Sequence, residues 1–206
     1  MTEPVNIILL DADGVVQMPT SDWRDRLIAL AGDCGRDNGF LADIFEAEEQ
    51  CLTGQQDFAS ALEGVMRKWG CDARIDDVLK LWTLIEPNQQ VLGIVDQLQQ
   101  AGHSVCLATN QHPHRARYMS RELGYDKLFD RSFYSCELGH AKPSRAYFIE
   151  LLERLGHAGS EALFIDDRDS NVVVARQVGI HAEQFHLMEG VDELRRKLRM
   201  HHIDLD

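Results

Sequence analysis

The sequence has few cysteines, and their arrangement does not predict a disulfide framework or a zinc site. Its five cysteines are widely spaced, their number is odd, and no CxxC pair occurs. Disulfide-rich folds and zinc modules need paired or closely spaced cysteines. The pattern therefore favours free thiols and a cytoplasmic protein.

Long hydrophobic runs are also missing from the sequence. A helix that spans a bilayer needs about 18 consecutive apolar residues, whereas the first apolar run, residues 5–10, ends at Asp11. Residues 1–4 lack the basic flank of a secretory signal peptide. We therefore expect neither a signal peptide nor an association with a membrane.

Positive charge is scarce, since the formal net charge is −13 and no basic run exceeds three consecutive residues. Proteins bind nucleic acid by neutralising its phosphates with Lys and Arg, so we expect no nucleic-acid partner. A phosphorylated small molecule remains compatible with this charge, because a divalent cation and a single lysine can reverse the potential locally. The sequence does not indicate an oligomeric state.

Short apolar runs that end in polar residues organise the chain. Runs of this length suit strands that are buried on both faces, as in a parallel sheet covered by helices. Residues 6–10 form the run before Asp11, residues 104–108 the run before Thr109, and residues 162–165 the run before Asp166.

Helical patterns follow two of these runs, over residues 147–155 and 170–178, and each ends at a glycine. This alternation predicts an α/β fold with a Rossmann-like, doubly wound parallel sheet. Residues 20–85 show helical periodicity alone, which indicates three or four consecutive helices inserted between Pro19 and Pro87. We therefore predict an α/β core over residues 1–18 and 86–206, and an all-α cap over residues 19–85 whose tryptophans pack its own interior.

The polar residues after the strands are predicted to meet, because ligands of open α/β sheets bind at the carboxyl ends of the strands. Several carboxylates would then crowd together, and two unit charges about 4 Å apart repel by roughly 4 kcal/mol at an effective dielectric near 20. Hard oxygen donors without a nearby Cys or His favour Mg²⁺ as the neutralising ion. The carboxylates concerned are Asp11, Asp13, Asp166 and Asp167.

These residue types suit phosphoryl transfer. An aspartate nucleophile, Asp11, divides hydrolysis into two easier displacements. Asp13 is placed to protonate the leaving group and then to deprotonate water, and Gly14 allows a tight backbone path beside the phosphoryl group. Thr109 can donate a hydroxyl hydrogen bond, and Lys142 supplies a fixed positive charge.

The motifs resemble those of the haloacid dehalogenase-like hydrolase superfamily, and in particular its phosphatases with a small helical cap. All four motifs occur in order, and with the insertion the resemblance covers nearly the whole chain. They are Asp11-Ala12-Asp13-Gly14-Val15, Thr109-Asn110, Lys142-Pro143, and Asp166-Asp167 with Asn171.

The resemblance implies a Rossmann-like core with a cap inserted after the first strand. It implies Asp11 as the nucleophile and Asp13 as the acid and base, with the main-chain carbonyl of Asp13 on the metal. Asp166 and Asp167 become carboxylates of the metal site, one direct and one through water, and we favour Asp167 as the direct ligand. Asn171 would contact these carboxylates without binding the metal itself. The phosphoryl group would be bound by Thr109, Asn110 and Lys142.

Substrate specificity is expected from residues near the motifs and in the cap. Their proximity to the motifs makes Gln17, Trp23, Gln111 and His112 candidates for substrate contacts. His112, together with His114, is also interpreted as a surface residue at the start of a helix.

We thus predict a Mg²⁺-dependent phosphomonoester hydrolase that acts on a small phosphorylated metabolite through an aspartyl-phosphate. A sugar phosphomutase is an alternative, and it would need a cap that excludes water. A 2-haloacid dehalogenase is a second, although it has no use for the acid/base Asp13. A non-catalytic phospho-acceptor such as a receiver domain is a third, although such a domain has about 120 residues and no helical insertion.

Overall fold

The structure is a computed structural model, and it describes residues 4–205. Five strands form one parallel sheet in the order β5-β4-β1-β6-β7, and β2 and β3 form a separate antiparallel pair. The strands are β1 (Ile7–Leu10), β2 (Gln17–Pro19), β3 (Ile85–Pro87), β4 (Ser104–Thr109), β5 (Arg131–Tyr134), β6 (Ala162–Asp166) and β7 (His181–Gln184).

Helices connect the strands and cover the sheet. Three short 3₁₀ helices add to them at Lys80–Thr83, Gly159–Glu161 and Leu187–Glu189. The α-helices are α1 (Trp23–Ala31), α2 (Asp33–Arg36), α3 (Asn38–Cys51), α4 (Phe58–Lys68), α5 (Ile75–Leu79), α6 (Gln89–Gln100), α7 (Pro113–Arg121), α8 (Tyr125–Leu128), α9 (Ser135–Leu138), α10 (Arg145–Leu155), α11 (Asp169–Gln177) and α12 (Val191–Met200).

Both faces of the sheet are buried, because side chains alternate along each strand. Ile8 and Leu10 of β1 face a cluster that includes side chains of α6, α7 and α12. Ile7 and Leu9 face a second cluster with side chains of α10 and α11. The sequence prediction of a doubly wound parallel sheet is therefore confirmed, as are the two helices predicted after residues 146 and 169.

The centre of the sheet positions the polar residues. Leu10 of β1 is in register with Leu107 of β4 and with Ile165 of β6. Because the three strands are parallel, the residues that end them, Asp11, Thr109 and Asp166, lie at the same edge of the sheet.

The helical insertion, residues 23–83, leaves and rejoins the core through the β2–β3 pair, in which Pro19 is in register with Ile85. It contains five α-helices rather than three or four. The two additional ones, α2 and α5, have only four and five residues. Helices this short carry too few turns for a periodic pattern to show in the sequence.

The insertion has a hydrophobic cluster of its own, which includes Phe40, Phe58 and Trp82. Trp23 meets Trp82 edge-on at a centroid distance of 5.5 Å, and Trp69 meets Phe40 at 5.9 Å. The three tryptophans therefore pack inside the insertion, as the sequence predicted. Across residues 4–205, no helix has the length and apolar character needed to cross a membrane.

Candidate active site

The innermost part of the site is a buried cluster of two aspartates and one lysine from three different chain segments. The Nζ of Lys142 lies 3.0 Å from Oδ1 of Asp11 and 2.6 Å from Oδ2 of Asp166. It also donates a hydrogen bond of 2.8 Å to the carbonyl of Ala108. All three charged side chains are at least nine-tenths buried. One cation is thus shared between two carboxylates away from water.

This sharing leaves Asp11 short of positive charge. Burial raises the pKa of Asp11 to about 8, and the charges of Asp166 and Asp13 add to the rise while Lys142 opposes it. Burial alone would lower the pKa of Lys142, but the two carboxylates raise it above its ordinary value. The lysine therefore stays charged, and Asp11 needs a further cation to be ionised at neutral pH.

Asp166 is held by donors on both of its oxygens. Oδ1 accepts hydrogen bonds from the main chain of Arg168 at 2.8 Å and from Nδ2 of Asn171 at 2.9 Å. Oδ2 accepts from Lys142 and, at 3.0 Å, from Nδ2 of Asn171. Asn171, in the first turn of α11, thus holds both oxygens of Asp166.

Three carboxylates form a group that suits a hard divalent cation. Oxygens of Asp11, Asp166 and Asp167 lie within 4.8 Å of one another. Burial and the charge of Asp166 raise the pKa of Asp167, so this group is short of positive charge as a whole. An all-carboxylate donor set of this kind fits Mg²⁺.

Gly14 allows the chain to pass close to this group. Its φ is +83°, and a Cβ at this position would lie 2.8 Å from the carboxylate of Asp167. Any other residue would therefore combine backbone strain with a clash. The glycine of the first motif is explained by this close approach.

Asp13 lies at the outer side of the cluster and is held by three side chains. Arg115 donates from Nη1 to Oδ2 at 2.7 Å and from Nη2 to Oδ1 at 2.8 Å. Gln17 donates to Oδ1 at 3.0 Å and Gln111 to Oδ2 at 2.9 Å. Burial alone would raise the pKa of Asp13, but Arg115 and the two amides lower it below its ordinary value.

Three of the residues predicted to contact substrate instead contact other side chains of the protein. Gln17 and Gln111 are buried, and the side-chain amide of each donates a hydrogen bond to Asp13. Gln17 also accepts a hydrogen bond from Tyr125, and Gln111 also donates one to Thr109. Trp23 packs against Phe45 and Trp82 inside the insertion. The structure thus assigns supporting roles to these residues, because proximity in sequence to a motif does not give the direction of a side chain.

His112 is not a surface residue, so that interpretation was wrong. Its side chain is fully buried and lies 4.1 Å, between ring centroids, from Phe58 of the insertion. Burial, with the charge of Arg115, lowers the pKa of His112 to about 3, so the imidazole is neutral. His114, two residues on, is only partly buried.

Asn110 uses its side chain to fix Lys142. Its Oδ1 accepts from the main-chain N–H of Lys142, and its Nδ2 donates to the carbonyl of Lys142, both at 2.8 Å. The Asn110 amide is thus committed to the main chain of Lys142. Thr109 is buried beside it, and its Oγ1 accepts a hydrogen bond from Gln111.

Sequence reasoning missed Arg115 and Glu48. Glu48 belongs to α3 of the insertion, and its Oε1 lies 3.6 Å from Nε2 of His112. A signal existed for Arg115, because a basic residue in the first turn of a helix opposes the helix dipole. Its position in α7 therefore indicates an acidic partner. No motif indicates Glu48.

Comparison with known sequences places this fold and its carboxylate–lysine site in a family. A sequence model described as haloacid dehalogenase-like hydrolase matches residues 5–179. The chain therefore belongs to the haloacid dehalogenase-like hydrolase family, as the sequence motifs predicted.

Two relatives illustrate its position in the family. The sesquiterpene phosphatase astK of Aspergillus oryzae is 29% identical over 97 residues, which cover 47% of this chain and 49% of that protein. This match spans about half the length of that relative. The GMP/IMP nucleotidase YrfG of Escherichia coli is 24% identical over 185 residues, covering 86% and 81% of the two chains.

Solved structures show the same fold. A HAD family enzyme from Bacteroides thetaiotaomicron, crystallised with magnesium and inorganic phosphate, superposes with a TM-score of 0.78 at 19% identity. The superposition covers 92% of this chain and 98% of that one.

Proposed function

We propose that this chain is a Mg²⁺-dependent phosphomonoester hydrolase that acts on a small phosphorylated metabolite through an aspartyl-phosphate on Asp11. The observation that carries the proposal is the buried cluster of Asp11, Lys142 and Asp166, with Asp13 held beside it. Two relatives are named for the removal of phosphate from small molecules, a sesquiterpene phosphatase and a nucleotidase.

The residues that would hold Mg²⁺ are Asp11, Asp167 and the main-chain carbonyl of Asp13. Asp166 would act through water, because its four acceptor positions are already used by Arg168, Asn171 and Lys142. The bound ion would neutralise phosphoryl oxygens and keep Asp11 ionised. The magnesium in the Bacteroides structure supports this choice of metal.

In the first step, an oxygen of Asp11 attacks phosphorus in line with the ester oxygen. The P–O bond to the leaving group breaks, and its electron pair stays on the leaving oxygen, which takes the proton that Asp13 has received from solvent before this step. Lys142 balances the charge of the transferring phosphoryl group. The products are the dephosphorylated alcohol and a phosphorylated Asp11.

In the second step, water attacks the phosphorus of the aspartyl-phosphate. Asp13, now a carboxylate, takes a proton from this water, and the bond between phosphorus and the Asp11 oxygen breaks. Inorganic phosphate leaves and Asp11 is again a carboxylate. Asp13 thus acts first as an acid and then as a base.

We assign the insertion as a cap that limits the size of the substrate and the access of bulk water. It contacts the core beside the site: a Cβ at Gly54 would overlap the carbonyl oxygen of Cys136, and Phe58 packs on His112. The five cysteines are free thiols, which supports the cytoplasm as the compartment.

The experiment is hydrolysis of para-nitrophenyl phosphate with and without Mg²⁺ by the wild type and by Asp11→Asn, with the exposed Asp25→Asn as a matched control. We expect turnover that needs Mg²⁺, is lost in Asp11→Asn and is unchanged in Asp25→Asn. A folded wild type that binds Mg²⁺ but shows no turnover would contradict the proposal. That result would favour the phosphomutase or the phospho-acceptor.

A further inference from the structure

Asp13 has no free acceptor position in the structure. A carboxylate offers about four lone-pair positions, and the four hydrogen bonds from Arg115, Gln17 and Gln111 use two on each oxygen. A leaving-group oxygen can therefore meet Asp13 only if one of these donors moves away.

The two amides are poorly suited to move, because other contacts fix them. The carbonyl oxygen of Gln17 accepts from the buried hydroxyl of Tyr125 at 2.8 Å. The main-chain N–H of Gln111 donates to Oγ of Ser135 at 2.9 Å, and its side chain donates to Thr109 as well as to Asp13. Both glutamine side chains are buried.

Arg115, unlike the two amides, is not fixed by contacts to other residues in the part of the chain that the structure describes. Within residues 4–205, its recorded hydrogen bonds all go to Asp13, and its buried Nε has no partner. Its side chain is 12% exposed, in contrast to the fully buried amides. Arginine is also long enough to change partners without movement of the backbone. Of the three side chains that hold Asp13, Arg115 is therefore the one able to leave.

A second carboxylate is available to receive it. Glu48 reaches from the insertion to His112 at the N-terminus of α7, the same helical turn that carries Arg115. His112 is neutral, and the structure records no ion pair of Glu48 with any Lys or Arg in residues 4–205. Burial raises the pKa of Glu48, the charge of Arg115 and a hydrogen bond with Trp82 lower it, and the charge of Asp13 raises it. Glu48 is thus a largely buried carboxylate, 18% exposed, within electrostatic range of the guanidinium.

We propose that Arg115 is a positioning residue that holds Asp13 in the resting enzyme and moves to Glu48 when a phosphomonoester occupies the site. The exchange frees one position on each oxygen of Asp13 for the leaving-group oxygen, while Gln17 and Gln111 keep the carboxylate in place. This inference rests on the proposed hydrolase function. It makes a residue of the insertion part of the proton-transfer step without any contact to the substrate.

The exchange matters only where the leaving group needs a proton. A nitrophenolate leaves readily without one, whereas the more basic phenolate depends on the general acid. Phenyl phosphate and para-nitrophenyl phosphate have similar shapes, so a comparison of the two separates proton transfer from binding.

The experiment measures kcat and KM for both esters with Mg²⁺ in Glu48→Gln, Arg115→Met and the double variant. In Glu48→Gln, Arg115 stays on Asp13, so we expect kcat to fall about tenfold for phenyl phosphate and less than about threefold for para-nitrophenyl phosphate. Arg115→Met loses a side chain that holds Asp13, so its own kcat for each ester is the reference for the double variant. The double variant should resemble Arg115→Met, because the loss from Glu48→Gln depends on Arg115.

The matched controls are Glu49→Gln on α3 and Arg117→Met on α7, both exposed, and neither should change either kcat. If the losses of kcat in the two single variants multiply in the double variant, the exchange is wrong. An equal loss of kcat on both esters in Glu48→Gln would also overturn it. A wild type without Mg²⁺-dependent turnover would instead overturn the hydrolase function itself.

A crystal structure of Asp11→Asn with Mg²⁺ and phenyl phosphate tests the same inference without turnover. We expect a guanidinium nitrogen of Arg115 within about 3.2 Å of a Glu48 oxygen. Arg115 still paired with both oxygens of Asp13 beside a bound ester would overturn the proposal.

Discussion

The α/β core and the helical insertion bury different kinds of side chain. In the part of the chain between residues 4 and 205, every buried polar or charged residue belongs to the core, whereas the buried residues of the insertion are apolar apart from Gly35. The buried polar residues are Asp11, Gln17, Thr109, Gln111, His112, Ser135, Lys142, Asp166 and Asn171.

This difference predicts how amino-acid substitutions affect each region. A buried polar group costs free energy unless it is partnered, so the core residues depend on one another in pairs and networks. The insertion depends on filled volume, which many combinations of apolar side chains provide. A change in the core should therefore affect chemistry and stability together, and a change in the interior of the insertion should affect mainly stability.

The largest effect should follow from Lys142→Met, which removes the cation shared by Asp11 and Asp166. We expect kcat to fall about a thousandfold and the free energy of unfolding without Mg²⁺ to fall by about 3 kcal/mol, because two buried carboxylates lose their partner. Urea unfolding and para-nitrophenyl phosphate assays measure both. Lys127→Met, at an exposed position, is the control. Equal changes of kcat and of the free energy of unfolding in the two variants would contradict this prediction.

A smaller effect is expected for Phe40→Ala in the insertion. Phe40 is fully buried, so the free energy of unfolding should fall by about 3 kcal/mol while kcat of the folded enzyme changes less than about threefold. Phe45→Ala on the same helix is the matched control. Its side chain is half exposed, so its loss should stay below about 1 kcal/mol. A large loss of kcat in Phe40→Ala would show that the insertion's interior also shapes the site.

The smallest effect should come from Asn110→Ala, which removes the two hydrogen bonds to the main chain of Lys142. The lysine then loses part of its positioning, and we expect kcat to fall about tenfold with KM nearly unchanged. Steady-state kinetics with para-nitrophenyl phosphate measure the two constants separately. A rise in KM at constant kcat would instead indicate that the Asn110 amide binds the phosphoryl group in the ground state.

The core was largely predictable from the sequence because its signals are local. Apolar runs that end in Asp11, Thr109 and Asp166 indicate buried parallel strands, and the geometry of such a sheet brings their ends together. The glycines at positions 156 and 179 mark the ends of the helices that cover it. The roles of the site residues in catalysis stay predictions until they are tested.

The surroundings of Asp13 could not be predicted from the sequence, and the reason is physical. The partners of Asp13 come from distant segments, and the direction of a side chain depends on packing that a local pattern does not describe. Gln17 and Gln111 lie beside motifs but face Asp13, and His112 is buried because Phe58 covers it. Glu48 meets the core only through the fold of the insertion.

The position of β1 at the centre of the sheet has a consequence for the order of folding. Its neighbours β4 and β6 both come much later in the chain, since Ile7 is in register with Ser104 and with Ala162. The strand that ends just before Asp11 therefore stays unpaired on both sides during synthesis until β4 has been made, and on one side until β6 has been made. Contacts this distant in sequence slow folding, so the chain exposes its most apolar strand for the longest time.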